Sequence, residues 1–259
     1  MEKYELPLVF FTVLSQMSVG MALVLTWRTL RGEVEGQRFY WLATGLVLAL
    51  ASIAAILHLA HPDRAYNALI NLRHAWLSRE ILGATLFGAA VGVTFLAKGH
   101  KAMALIASVF GVLLVAVQGM TYAAPAMVAI ANGFTMLLFF ITVWVMGCAA
   151  IPLLKLRPAV PALRQGIVVC IAVLIAVLIA APLVWLSGGT VMQMTARSWL
   201  ASPFYLASLV CLALAFVASR HGDSRPKRLF VLLFVGVFLS RLVFFGDTVS
   251  TIVNIGHLY

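Results

Sequence analysis

Residues 165–187 read QGIVVCIAVLIAVLIAAPLVWLS and contain no charged side chain. A bilayer core ~30 Å thick is crossed by about 20 apolar residues in a helix, so this stretch is a membrane span by itself. Continuous apolar runs of similar length lie near 7–27, 39–60, 80–97, 102–122, 131–153, 199–219 and 229–248. The gaps between them hold the helix breakers: Gly32 and Gly36, His61-Pro62, Gly99, Pro125, Pro158 and Pro161, Gly188-Gly189, and Pro226. The pattern predicts an all-α, polytopic transmembrane helix bundle of about eight spans. Together with short connections these spans use up the 259 residues. The expectation is a single integral membrane domain, 1–259, with no internal repeat and no separate soluble domain.

Composition agrees, with 63% hydrophobic and 10% charged residues against roughly 25% charged in an ordinary soluble domain. The net charge of +10 does not point to nucleic acid, because the cations form no single basic face. They sit in short clusters between apolar runs, the distribution that orients membrane proteins. The odd-numbered connections hold twelve: Arg28, Arg31, Arg38, Lys98, Lys101, Lys155, Arg157, Arg164, Arg220, Arg225, Lys227 and Arg228. The N-terminus and the even connections hold five: Lys3, Arg64, Arg73, Arg79 and Arg197. Positive charge marks the cytoplasmic side, so both termini are expected outside, in the periplasm, and the longest outer loop is 61–79. The first apolar run follows Glu2, Lys3 and Glu5 rather than a basic leader with a small-residue cleavage site, so no cleavable signal peptide is expected.

Ionisable groups inside a span are costly and face the bundle interior, which makes each a functional candidate. His58 ends the second span, Glu80 opens the third, and Arg241 lies within the last. Gln16 and Gln118 are the buried amide candidates. At a spacing of four, Glu80 is continued by Ala84, Gly88 and Gly92, a small-residue stripe on which a neighbouring helix packs. Thr12, Gln16 and Gly20 form a second stripe. Ala51, Ala54, Ala55 and His58 make a third. All the ionisable candidates fall in the outer half, which suggests one pocket near the outer surface. Taken singly, each has a blander reading: Glu80 as a helix-terminus charge, His58 as an interfacial residue, Arg241 as a snorkelling or structural ion-pair partner, and the glutamines as interhelical glue.

Metal and haem sites are not expected. Cys148, Cys170 and Cys211 fall far apart in apolar runs without a CxxC pair, so they read as small core residues rather than cluster ligands. Of the six histidines only His58 is placed within a span, and a two-histidine haem requires a pair inside the bundle.

The stretches LPLVFFTVLSQMSVGMALV (6–24) and ILHLAHPDRAYNALINLRHAWLSREILGA (56–84) resemble the membrane anchor of anaerobic dimethyl sulfoxide reductase. The first matches a family opening W-P-L-x-x-F-T-V-x-x-Q, and the second matches H-L-x-x-P-x-R-A-x-N-x-L followed by L-S-x-E. SRLVFFG, in the last span, is similar to the family's G-R-x-x-F-Y. The likeness is strong over roughly the first third of the sequence and looser beyond. Ala60-His61-Pro62 stands where the family usually has Gly-Ser-Pro, and Arg79 where an Asn precedes the key Glu.

The resemblance implies a haem-free anchor subunit, not an enzyme alone, in the bacterial inner membrane. A molybdopterin catalytic subunit and a four-cluster iron–sulfur subunit would dock on its periplasmic side. It also implies a menaquinol-oxidising site in which the family's essential His and Glu map onto His58 and Glu80. Quinol oxidation releases two electrons and two protons, so the ring oxygens need groups that accept protons. His58 and Glu80 suit that role. Gln16, Arg64, Arg79 and Arg241 complete the candidate quinol site. Arg64, Tyr66, Arg73 and Trp76 form the candidate docking surface, since Arg and aromatic residues are favoured at interfaces. A membrane-interface segment anchored by Trp76 fits the same composition. The competing functional readings are an anchor for a tetrathionate, polysulfide or nitrite reductase and, further off, a secondary transporter. A transporter commonly carries inverted repeats and broken midplane helices, and the sequence shows neither.

Overall fold

The computed structural model describes residues 4–34, 38–57, 71–154, 161–220 and 226–251. The described residues are helical, with no strand among them. The helices are α1 (Leu6–Leu30), α2 (Arg38–Leu57), α3 (Trp76–Leu96), α4 (Lys101–Tyr122), α5 (Gly133–Ala150), α6 (Pro161–Leu186), α7 (Thr190–Ala201), α8 (Pro203–Arg220) and α9 (Pro226–Gly246). A 3-10 turn, Ile151–Leu154, extends α5. Eight of these helices are long and apolar enough to cross a membrane, as the apolar runs predict.

The exception is α7. Sequence reading leaves 188–198 as a connection and starts the seventh span at 199. In the structure a twelve-residue helix occupies 190–201, and the span begins at Pro203. Proline disfavours helical backbone at the residue before it, and Ser202 is accordingly extended (φ −75°, ψ 124°). The proline separates this cap helix, which takes in the first residues of the apolar run, from the span that follows. Trp199 anchors the cap: its buried ring lies edge-on to Trp185 at 4.9 Å, and its indole N–H donates to Thr248 Oγ1 at 3.3 Å.

Helix contacts define two four-membered rings. The first runs α1–α2–α3–α4 and back to α1, and the second runs α5–α6–α8–α9 and back to α5. Within each ring, successive spans are antiparallel. Although α4 also touches α5, the rings join mainly through α1, which packs on α5 and α9 as well as on α2 and α4. It is therefore the hub, buried around nearly its whole circumference.

Without a hydrophobic driving force between helices in lipid, close backbone approach and interhelical hydrogen bonds hold such a bundle. The closest approach is between rings. A Cβ on Gly20 would collide with the carbonyl oxygen of Val143 and the backbone of Gly147, and a Cβ on Gly147 would collide with Gly20. Hydroxyls supply cross-helix bonds: Ser18 Oγ to Thr44 O (2.9 Å), Thr26 Oγ1 to Ala104 O (2.9 Å), and Ser208 Oγ to Gly236 O (2.8 Å). Pro182, inside α6, has no N–H to give the carbonyl of Leu178 four residues earlier. The Tyr205 hydroxyl of α8 donates to that carbonyl instead, at 3.0 Å. Apolar runs place both residues in spans without indicating this pairing.

The stripe expected on α3 is only partly a packing face. Glu80 is buried, but Gly92 has nothing within 4 Å of a Cβ and, with Gly45, Gly88, Trp41 and Phe95, lines a shallow apolar groove between α2 and α3. A strict spacing of four advances ~40° per step on a helix of 3.6 residues per turn, so the stripe winds off the buried face. The face that packs is Glu80, Phe87, Val91 and Thr94.

This geometry separates two glycines. Gly20→Ala is expected to lower the thermal unfolding midpoint in detergent, by a destabilisation of about 1–3 kcal/mol for overpacking. Gly92→Ala is expected to leave the midpoint unchanged or slightly higher. Equal effects at both positions would refute the assignment of the ring boundary to Gly20.

Candidate functional site

The site grows from Arg241 on α9, a guanidinium with 0% exposure inside the bundle. An arginine within a span costs up to ~2.5–3.5 kcal/mol, the insertion-scale value at the helix centre, so it requires acceptors. One terminal nitrogen donates to Gln16 Oε1 at 2.9 Å and to Thr142 Oγ1 at 3.0 Å. The guanidinium carbon stands 4.1 Å from the ring centre of Phe139 and 5.7 Å from that of Phe244. Charge-assisted hydrogen bonds contribute ~1.5–3 kcal/mol each and a desolvated cation–π contact about 2. Together these offset the insertion cost. Its remaining nitrogens, Nε and Nη1, make no hydrogen bond to the described residues.

A series of amides leads from there. Gln16 Nε2 faces Gln118 Oε1 at 3.4 Å, and Gln118 Nε2 donates to Ser15 Oγ at 2.9 Å. Both glutamines and Ser15 are fully buried. Gln118 borders Glu80, as do Thr121 and Tyr122. The register follows from packing, since Gly83 of α3 touches Leu114 of α4. In an antiparallel pair, one turn back from Gly83 and one turn on from Leu114 bring Glu80 level with Gln118. Glu80 is 1% exposed, one turn inside α3 rather than at its first residues, and neither carboxylate oxygen is in hydrogen-bond geometry with a described partner. Glu80 and Arg241 form no ion pair within 4 Å. Aromatic rings close the space, with Tyr122 edge-on to Phe245 at 5.3 Å and tilted against Phe139 at 6.0 Å.

Of the residues singled out from the sequence, the structure thus brings Gln16 and Arg241 into contact and links them through Gln118 to Glu80. It directs Arg79 elsewhere. That guanidinium donates to the carbonyls of Leu72 (2.9 Å) and Arg73 (2.7 Å) and stacks 4.2 Å over Trp76, pinning the turn before α3 to its first residues. Arg73 and Trp76 are exposed beside that turn. His58, Arg64 and Tyr66 lie outside the described residues. Sequence reading treated Gln118 as glue and did not single out Ser15, Thr142, Phe139 or Tyr122. Their only sequence signal is polar or aromatic character inside a span. Cys148, Cys170 and Cys211 are unbridged, and no group of three metal-binding side chains occurs among the described residues.

All these groups occupy one end of the bundle. Gln118 and Tyr122 close α4, Glu80 is near the start of α3, and Arg241 is near the end of α9. Helix α7 and the segment after α9 cap the same end, where Val249 N donates to Thr195 Oγ1 and Thr251 N to Ala126 O.

Fold and site together define a polytopic membrane protein with a buried polar network across the joint of two four-helix rings. The sequence profile of the DMSO reductase anchor subunit family (DmsC) matches residues 1–247, and the protein belongs to that family. It is 32% identical over 160 residues to YnfH, an anaerobic dimethyl sulfoxide reductase chain of Escherichia coli, covering 56% of this sequence and 55% of that one. It is 32% identical over 152 residues, 54% of each sequence, to an anaerobic dimethyl sulfoxide reductase chain of Haemophilus influenzae. A shorter match, 35% over 98 residues, is to a second anaerobic dimethyl sulfoxide reductase chain of Escherichia coli, covering 36% of this sequence and 34% of that one. These alignments span about half the length of the relatives, or less. Membership of an anchor-subunit family accords with the reading from the first and second spans.

Removing one side of the Arg241 contact is expected to cost more than removing the other hydroxyl. Gln16→Leu removes an acceptor of the buried cation and the link to Gln118 together and is expected to destabilise by about 3–5 kcal/mol, whereas Thr142→Val removes one charge-assisted bond and should cost about 1.5–3 kcal/mol. Thermal unfolding of the purified protein in detergent checks the order. A larger loss for Thr142→Val would contradict it.

Proposed function

We propose that this protein is the haem-free anchor of a dimethyl sulfoxide reductase-type complex in the bacterial inner membrane, and that it oxidises menaquinol beside Glu80. The observation that carries the reading is the Glu80 carboxylate: buried near the membrane end of α3, with neither oxygen hydrogen-bonded to a described residue and with Gln118, Thr121 and Tyr122 around it. A quinol hydroxyl needs such an acceptor, in a dry site reached through lipid. Family membership makes the protein an anchor subunit, and the relatives' names support a complex of the anaerobic dimethyl sulfoxide reductase type.

In this reading, each turnover takes two electrons and two protons from the quinol and leaves the quinone. One hydroxyl proton passes to Glu80 and the other to His58, which directly follows the last residue of α2. Gln16 and Arg241 close the deep side. The electrons pass to an iron–sulfur subunit and from it to a molybdopterin subunit, both docked over Arg64, Tyr66, Arg73 and Trp76. Exposed Arg73 and Trp76, with Arg79 bracing the turn between them, support that face as the docking surface. The protons leave on the same side as the electrons, so the step moves no charge across the membrane. Both termini share this side and are periplasmic, in keeping with the basic residues clustered at the opposite end.

Glu80→Gln is expected to keep the complex assembled in the membrane and to lower menaquinol-analogue oxidation at least about a hundredfold, the low end for losing a proton acceptor (about 10²–10⁴). His58→Ala should act in the same direction. Full quinol oxidation in both variants would exclude this site. For topology, alkaline phosphatase fused after Tyr259 should be active on whole cells, and an inactive, stably expressed fusion would reverse the orientation.

A further inference from the structure

The order of donors and acceptors along the buried network has a single direction, and Arg241 sets it. A guanidinium only donates hydrogen bonds. Gln16 must therefore turn its carbonyl oxygen to Arg241, at 2.9 Å, which leaves its amide nitrogen facing Gln118. Gln118 in turn must present its carbonyl oxygen to Gln16, at 3.4 Å, and its own nitrogen away from it. One N–H of that nitrogen goes to Ser15 Oγ at 2.9 Å, and Ser15 passes its proton on to the carbonyl of Thr12 at 3.3 Å. Gln118 stands level with Glu80 across the α3–α4 seam, so the turn of this amide decides which of its ends the carboxylate meets. In an isolated buried glutamine the oxygen and nitrogen ends are interchangeable within the same shape. Here a donor-only group at one end removes that freedom from both amides.

We propose that Arg241 is a positioning residue, acting through Gln16 and Gln118 to keep an N–H, and not a carbonyl, turned toward Glu80. The proposal rests on the quinol reading of Glu80 and adds to it. An N–H on that side is compatible with a carboxylate that takes a proton from the quinol. A carbonyl there is compatible only with a protonated Glu80 that donates to it, a form that has no room for the quinol's proton. Both amides have no exposed surface, so bulk water does not substitute for the missing partner.

The test uses the assembled complex in membranes, with a menaquinol analogue as donor. Gln16→Glu is nearly isosteric and gives Arg241 a better acceptor, yet an ionised carboxylate has no N–H for Gln118. Gln118 must then turn its nitrogen toward residue 16 and its carbonyl toward Glu80. The expected result is a thermal midpoint equal to or above that of the parent, with kcat lowered by about tenfold and KM little changed, the signature of a lost transition-state contribution. In a second pair, Arg241→Gln is expected to lose the same turnover and Arg241→Lys, which remains donor-only, to recover a good part of it. Parent-level kcat in Gln16→Glu would overturn the proposal. If Gln16→Glu fails to assemble, equal kcat in Arg241→Gln and Arg241→Lys would overturn it. Glu80→Gln assayed in parallel separates the two ideas: a fully active Glu80→Gln defeats the quinol site itself, whereas an inactive Glu80→Gln beside an active Gln16→Glu defeats only the relay.

Discussion

A guanidinium with no exposed surface in an apolar bundle imposes a geometric demand that few arrangements meet. It must find acceptors on other helices, within hydrogen-bond distance, and those helices must then stay at that distance. Arg241 finds them on α1, through Gln16, and on α5, through Thr142. The glycine contact between α1 and α5 lies one turn from each acceptor, at Gly20 and Gly147. Backbone contact there fixes the separation that the arginine spans. The hub position of α1 follows, because the helix that carries Gln16 has to touch the second ring while remaining part of the first.

The two rings are not equivalent in their exposure to lipid. α2 and α3 are the least buried spans of the first ring, and α1 is the most buried of all. Glu80 nevertheless sits on the inward face of α3, a short distance from the lipid boundary. An isoprenoid-tailed substrate would reach such a carboxylate from the bilayer between α2 and α3 or α3 and α4 without threading the bundle. The apolar grooves on both sides of α3 lie along those seams but are lined by residues 86–95 of α3, toward the other end of the helix from Glu80. A charged residue on a lipid-facing helix is costly, and the location is understandable if access from lipid is what the residue serves.

Much of the architecture was legible because apolar length is a local signal. A run such as 165–187 needs no partner to declare itself, and eight of these runs became the eight long helices. Where a nonlocal or backbone effect intervened, the reading fell short. Pro203 moved the start of the seventh span past 199 and left a short helix, α7, in what reads as a connection, and a window average passes over that break. The stripe on α3 failed beyond Gly88 because residue spacing was read without the angular drift it carries. The polar residues were visible one at a time, but their connection was not. Gln16, Gln118, Thr142 and Arg241 come from four helices and are up to 225 positions apart. Periodicity within one helix carries no information about which neighbour it meets. Gln118 was therefore indistinguishable from glue until its two partners were seen. The loop holding Arg64 and Tyr66 is a different case, since composition alone left both docking and membrane anchoring open.

The separation of Arg241 from Glu80 is itself informative. Opposite charges in a low-dielectric interior attract strongly, and a direct pair would be the simplest way to satisfy both. Such a pair would also occupy the carboxylate oxygens and hold Glu80 permanently against a donor it could not exchange. With two glutamines between them, the cation donates to neutral acceptors, and neither carboxylate oxygen has a hydrogen-bond partner among the described residues. The amides transmit direction from the arginine without its full charge. A bundle built only for stability gains nothing from that spacing, since the carboxylate is then buried without a partner among the described residues, at a cost. The arrangement is intelligible where Glu80 must gain and lose a proton, which a neighbouring amide tolerates in both states better than a guanidinium does.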